Sequence, residues 1–162
     1  MKILKEKNLR KPHNMKKIQA RTRRAKKLRI LSMELKVKFE LEFPIQASPQ
    51  MLYQYISSAS GLSEWFAENV NSRGIIFSFF WDGSEEKAEL LSSKSNKFVK
   101  FRWLDDSEDQ DKCFFEIKIV VDEITKDVSL MVSDFSYEDE VEETKMLWES
   151  QISDLKQVLG SS

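Results

Sequence analysis

The chain has 162 residues, 41% of them apolar, with one cysteine, one histidine and four glycines. That composition supports one real core and one domain, and it excludes an intrachain disulfide, a structural zinc centre and a glycine loop that cradles phosphate. The net charge of −1 hides two opposite segments: residues 1–32 hold 13 Lys or Arg and one acid (+12), whereas residues 33–162 hold 13 Lys or Arg and 26 Asp or Glu (−13).

Residues 1–32 form a basic tail with clusters at Lys16-Lys17, Arg21 to Arg24 and Lys26-Lys27, and with no aromatic residue. A run this charged has little to bury, so disorder is expected before about residue 32. Three readings stay open. The segment is upstream of a true start at Met33, or a solvated tail; it is an arm that contacts nucleic acid by neutralising phosphates; or it is a targeting peptide. The first leads, because Met33-Glu34-Leu35 makes a natural opening for a domain over 33–160. No apolar run approaches the ~18 residues that a spanning helix needs. With the lone Cys113, this points to a soluble protein of a reducing, cytoplasmic compartment.

Glu34 to Phe43 alternates strictly, with Leu35, Val37, Phe39, Leu41 and Phe43 on one face and Lys36, Lys38, Glu40 and Glu42 on the other, as a half-buried strand requires. Ser48-Pro49 starts a helix, with a serine cap and proline at the first helical position. Leu52, Tyr53 and Ile56 share its face. Ser60-Gly61 breaks the chain, and Leu62, Trp65 and Phe66 lie on a second short helix. Asn71 to Gly74 reads as a turn. Five strands follow: Ile75 to Trp81, Glu85 to Leu91, Lys97 to Leu104, Cys113 to Asp122 and Asp127 to Phe135. Asp82-Gly83 is a hairpin signal between the first two of these, and Asp105 to Lys112 is an acidic loop.

Glu138 to Gly160 predicts one long helix. Ser136 is the expected cap, and five acids over Glu138 to Glu143 complement the helix dipole. Val141, Thr144, Trp148, Ile152, Leu155 and Leu159 make one face, widened by Leu147 and Val158. Gly160 stands where a left-handed cap belongs. The expected class is α+β: a curved six-stranded antiparallel sheet, two short helices between strands 1 and 2, and a long C-terminal helix packed across the sheet.

The segments Ser48-Pro49-Gln50-Met51-Leu52-Tyr53 and Gly61-Leu62-Ser63-Glu64-Trp65-Phe66-Ala67 carry a family resemblance. Phe101-Arg102-Trp103 and the terminal helix with Trp148 agree with it. The chain resembles the helix-grip (SRPBCC) superfamily of steroidogenic-acute-regulatory-related lipid-transfer (START) and birch-pollen-allergen proteins. Within it, the chain is similar to the branch of the C-terminal domain of the activator of the heat-shock-protein-ninety ATPase. The likeness covers roughly residues 34–160. It implies a cavity between helix and sheet, and it implies little about activity, since the superfamily includes lipid carriers, receptors, cyclases and co-chaperones.

Chemistry-bearing residues are few. The only histidine, His13, lies in the tail, so folded-domain acid–base work by histidine and any His-bearing metal site are excluded. The acidic run Asp105 to Asp111 lacks the glycine and closing glutamate of a calcium loop. Glu64 and Glu116 are the isolated acids in view. No catalytic, cofactor or metal residue is assigned, and the reading leans away from an enzyme. The rings Trp65, Phe66, Phe79, Trp81, Phe101, Trp103, Phe115 and Trp148 are the pocket candidates, with Tyr53, Tyr55, Ser78, Arg102 and Ser133 as polar partners. Arg102 alternates away from Phe101 and Trp103. The leading function is therefore a non-enzymatic domain that holds an apolar small molecule or lipid. Its rivals are a chaperone-related protein-interaction module and nucleic-acid contact through residues 1–32.

Overall fold

The computed structural model describes residues 35–104 and 112–160. The basic tail, the start at Met33 and the acidic run Asp105 to Asp111 lie outside them. The described elements are β1 (Val37–Pro44), α1 (Pro49–Ser57), α2 (Ala59–Ser63), β2 (Asn69–Arg73), β3 (Ile76–Trp81), β4 (Ser84–Lys94), β5 (Phe98–Trp103), β6 (Phe115–Val121), β7 (Val128–Ser136), a 3-10 turn (Glu138–Glu140) and α3 (Val141–Val158). The strands form one antiparallel sheet in the order β1-β7-β6-β5-β4-β3-β2.

The expected class holds, with seven strands instead of six. The added strand is β2, where the sequence suggests a turn at Asn71 to Gly74. β2 sits at the sheet edge and buries only Val70, so it shows no alternation, and its Asn and Ser are poor strand formers. The turn is Gly74-Ile75, with Arg73 opposite Ile76 and Gly74 at φ 61°. At the next hairpin Asp82 (φ 42°) and Gly83 (φ 76°) both take positive φ, the geometry that Asp-Gly favours.

One sheet face is apolar because alternate residues point the same way. Phe77, Phe79 and Trp81 of β3, Val99 and Phe101 of β5, Phe115, Ile117 and Ile119 of β6, and Leu130 and Val132 of β7 are all buried on it. From β1, Phe39 is buried, and Leu41 and Phe43 pack against the core. Leu35 and Val37, expected on the same face, are 72% and 41% exposed and stay outside the core cluster. Over the face lie Leu52 and Ile56 of α1, Leu62 of α2, and Trp148, Ile152 and Leu155 of α3.

Two expectations about the helices need correction. The long helix is interrupted at its start: Glu138–Glu140 forms a 3-10 turn, and the α-helix runs from Val141 to Val158. Ser136 does not cap it. Ser136 is still paired with Val37 in the sheet, and its buried hydroxyl shares a hydrogen bond with Thr144 Oγ1 (3.2 Å) instead. Gly160 does adopt the left-handed cap, at φ 67°.

The second correction concerns Gly61. It lies inside α2 and breaks nothing; Ser58 caps that helix by accepting from the Gly61 N–H (3.0 Å). Glycine is required there because a Cβ would sit 2.2 Å from the Gln54 carbonyl oxygen and 2.6 Å from the Tyr55 Cα of α1. Trp65 and Phe66 accordingly fall just past α2, in the turn where Phe66 N–H reaches the Leu62 carbonyl (2.8 Å). Gly61→Ala should push the two short helices apart and destabilise the fold by roughly 1–3 kcal/mol, read as a lower midpoint in chemical denaturation. An unchanged midpoint would contradict this packing.

Candidate functional site

The eight candidate rings come together from three parts of the chain. β3, β5 and β6 present Phe79, Trp81, Phe101, Trp103 and Phe115 from below, α3 presents Trp148 from above, and the turn after α2 inserts Trp65 and Phe66 between them. Phe66 is the hub. Its centroid lies 5.4 Å from Trp65, 5.2 Å from Phe79, 6.0 Å from Trp81, 6.4 Å from Trp103, 5.9 Å from Phe115 and 5.9 Å from Trp148. Phe101 joins through Phe115 (5.2 Å), and Trp103 bridges Phe79 (5.3 Å) and Phe115 (5.2 Å). Seven of the eight are buried and Trp103 is half-buried. Edge-to-face and offset contacts at these separations each add about 0.5–1.5 kcal/mol beyond the area they bury.

Polar groups hold the hub in place. The Trp65 Nε1–H donates to the Tyr55 carbonyl of α1 (2.9 Å). The buried Gln151 of α3 donates from Nε2 to the Phe66 carbonyl (3.3 Å), 85 residues away in sequence. The Trp148 Nε1–H donates to Asp134 Oδ2 (2.8 Å), while Asp134 Oδ1 accepts from the Phe135 N–H (2.7 Å). Asp134 shares the inward face of β7 with Leu130 and Val132 and stands opposite Phe39 of β1. Burial pushes its carboxyl up to about 6, against the opposing pull of the indole, the Phe135 N–H and the Lys36 charge.

The polar candidates fare differently. Tyr53 and Tyr55 pack partly against the core. Ser78, Arg102 and Ser133 lie on the opposite sheet face: Ser78 faces Lys87, Arg102 faces Glu89, and Ser133 faces Glu40 and Glu116. Glu116 is thus an outer-face acid with Lys118 3.7 Å away, and Glu64 is exposed at the end of α2. Two acids take inward positions: Glu86 of β4, half-buried opposite Phe79, and Asp134, which the sequence reading passes over. Its signal is the parity of β7, since Leu130 and Val132 point inward and Asp134 is next in that register. Gln151 is also missed, although it falls three residues after Trp148 on the buried face. Among the described residues, no group of three or more His, Cys, Asp or Glu is arranged to hold a metal ion, and no helix is long and apolar enough to cross a membrane.

A helix-grip architecture with a ring cluster between its long helix and its sheet defines the class, and comparison with known proteins gives the family. Residues 33–161 match the model of the START-like superfamily domain, and the chain belongs to that superfamily, whose domains generally bind ligands. BfR322 from Bacteroides fragilis, known from a solution structure, is 35% identical over 76% of this chain and 91% of its own, with a TM-score of 0.55. The Aha1 dimer from Colwellia psychrerythraea is 18% identical over 76% of this chain and 96% of its own (TM-score 0.65). MLL2253 from Mesorhizobium loti is 18% identical over 76% and 97% (TM-score 0.62). The last two share the fold. No protein of curated function matches the chain.

Trp148→Ala removes a buried ring and its hydrogen bond and should cost about 3–5 kcal/mol in denaturant unfolding; a cost under about 1 kcal/mol would contradict the placement of α3. A second expectation concerns pH. Asp134 has its pKa raised on folding, so its contribution to stability is full below the unfolded value near 3.8 and is lost as pH rises through about 6. At about 1.4 kcal/mol per pKa unit, the loss approaches about 3 kcal/mol. Asp122, held low by the N–H groups of Thr125 and Ile124, acts below 3.8 and outside that window. Unfolding free energy should therefore rise as pH falls from about 7 to about 4.5, and Asp134→Asn should flatten that rise. An equal slope in both proteins would refute the assignment.

Proposed function

We propose that this chain is a non-enzymatic binding domain that holds an apolar small molecule or lipid between α3 and the sheet, within a domain spanning residues 33–160. The observation that carries the reading is the convergence of six large rings on Phe66, with Phe101 joined through Phe115. Such a lining is apolar and has few polar groups, as ligand sites of this kind do. Trp65 and Phe66 sit on a short turn outside any regular element, where a ring can exchange ring–ring contacts for ring–ligand contacts without breaking a helix or strand. Membership of a superfamily of ligand-binding domains supports the same reading.

A protein-interaction module is the second reading. It is favoured by the apolar end of the β6–β7 hairpin, where Val120, Val121 and the 91% exposed Ile124 meet solvent.

Native mass spectrometry of the full chain, purified from its own cells, separates the two. The binding reading predicts an added mass that leaves on denaturation and is reduced in Phe66→Ala. A clean protein mass, together with no thermal shift across a lipid and metabolite panel, would overturn it in favour of a protein partner.

A further inference from the structure

β1 forms one edge of the sheet: it pairs with β7, and among the described residues no strand lies on its other side. The Ile45 N–H donates to the Val128 carbonyl (3.0 Å), and the β1–β7 register runs without a shift from Val37 to Pro44. In an antiparallel ladder, alternate residues turn both backbone groups to the same neighbour. The odd-numbered residues of β1 therefore face β7, and Lys38, Glu40 and Glu42 turn their N–H and C=O groups to the other edge, with Lys36 next in that register just before the strand. Pro44 falls in this even set, where an edge tolerates a missing N–H.

The charges on the free edge are sorted. Along the outer face they read Lys36, Lys38, Glu40, Glu42, two cations and then two anions. Charge alone is enough to discourage stray pairing of an edge strand, and that purpose does not require this order. The order does matter if the strand meets itself. In an antiparallel pair of two β1 strands about a twofold at Phe39, Lys38 stands opposite Glu40 of the second copy and Lys36 opposite Glu42. All four outer-face cross-strand pairs are then of opposite sign. These are also the residues whose backbone groups point outward, so hydrogen bonding and charge agree on one register. Moving the twofold to Lys38 sets Lys38 against itself, and moving it to Glu40 sets Glu40 against itself. Cross-strand pairs of opposite charge stabilise a sheet, and like pairs directly opposite destabilise it.

The other face of the strand is consistent with this register. It places Leu35 opposite Phe43 and Val37 opposite Leu41 of the second copy. Two apolar side chains left exposed by the fold, Val37 of β1 and Leu35 just before it, thereby gain apolar neighbours. Lys38 and Glu40, 3.3 Å apart within one chain and each about half exposed, are free to exchange that contact for the one across the twofold.

We propose that β1 is a self-recognition edge: two copies of this chain pair β1 to β1, antiparallel about Phe39, into one continuous sheet. The test is sedimentation equilibrium on the full chain and on Lys38→Glu and Glu40→Lys, alone and mixed. The wild-type chain should dimerise. Either variant alone sets like charges opposite one another and should weaken self-association by about tenfold or more. An equimolar mixture pairs an all-acidic centre, from the Lys38→Glu chain, with an all-basic one, from the Glu40→Lys chain. It should restore association, which misfolded variants cannot do. The double swap in one chain should restore it as well. A wild-type chain that stays monomeric, a dimer indifferent to both single variants, or a mixture no tighter than its components would each overturn the proposal.

Discussion

The attachment of α3 to the sheet through Trp148 is the constraint on which the rest of the structure depends. A seven-stranded sheet with one apolar face is unstable in water until that face is covered. Trp148 supplies both parts of the cover's fixing. Its ring meets Phe66 and Phe115, which sets how deep the helix lies, and its indole N–H meets Asp134, which sets where along β7 it stops. Gln151, one turn on, then ties the helix to the Phe66 carbonyl. The short helices, the sheet and the long helix thus share one small volume. A change at any of these residues is transmitted to all three.

The carboxylate in this volume is costly and still retained. Burying an acid raises its pKa, so ionising Asp134 at neutral pH carries a cost in stability. In return Asp134 fills the one hydrogen-bonding need of a buried tryptophan, since an indole N–H left without an acceptor carries its own penalty. The same arrangement sets a few polar groups, Asp134, Gln151 and the half-buried Glu86, among largely apolar walls. Their close ring contacts form the core between α3 and the sheet.

Most of the architecture is legible in the sequence because the strands that face the core alternate strongly: Phe77-Phe79-Trp81, Val99-Phe101-Trp103 and Phe115-Ile117-Ile119 each declare a buried face by parity alone. β2 is hidden because only Val70 is buried on it. Gly61 reads as a break because glycine signals a turn locally, whereas here it answers to the backbone of α1 passing at contact distance. The start of the long helix misleads for a similar reason, since Ser136 has the chemistry of a cap but is held in the sheet by Val37. At the site, all eight rings are identifiable as large aromatics on inward positions. Asp134 and Gln151 are not, because a polar residue on a buried face makes sense only once its distant partner, Trp148 or the Phe66 carbonyl, is in place.

The most direct test of this account is the indole N–H of Trp148, followed by nitrogen-15 NMR from about pH 4 to about pH 8. Fixing by the ring cluster and by Asp134 predicts a resonance protected from solvent exchange whose shift follows one titration near pH 6 and loses it in Asp134→Asn. A rapidly exchanging Trp148 indole, or one that does not titrate across that range, would contradict the claim that this contact sets the helix on the sheet.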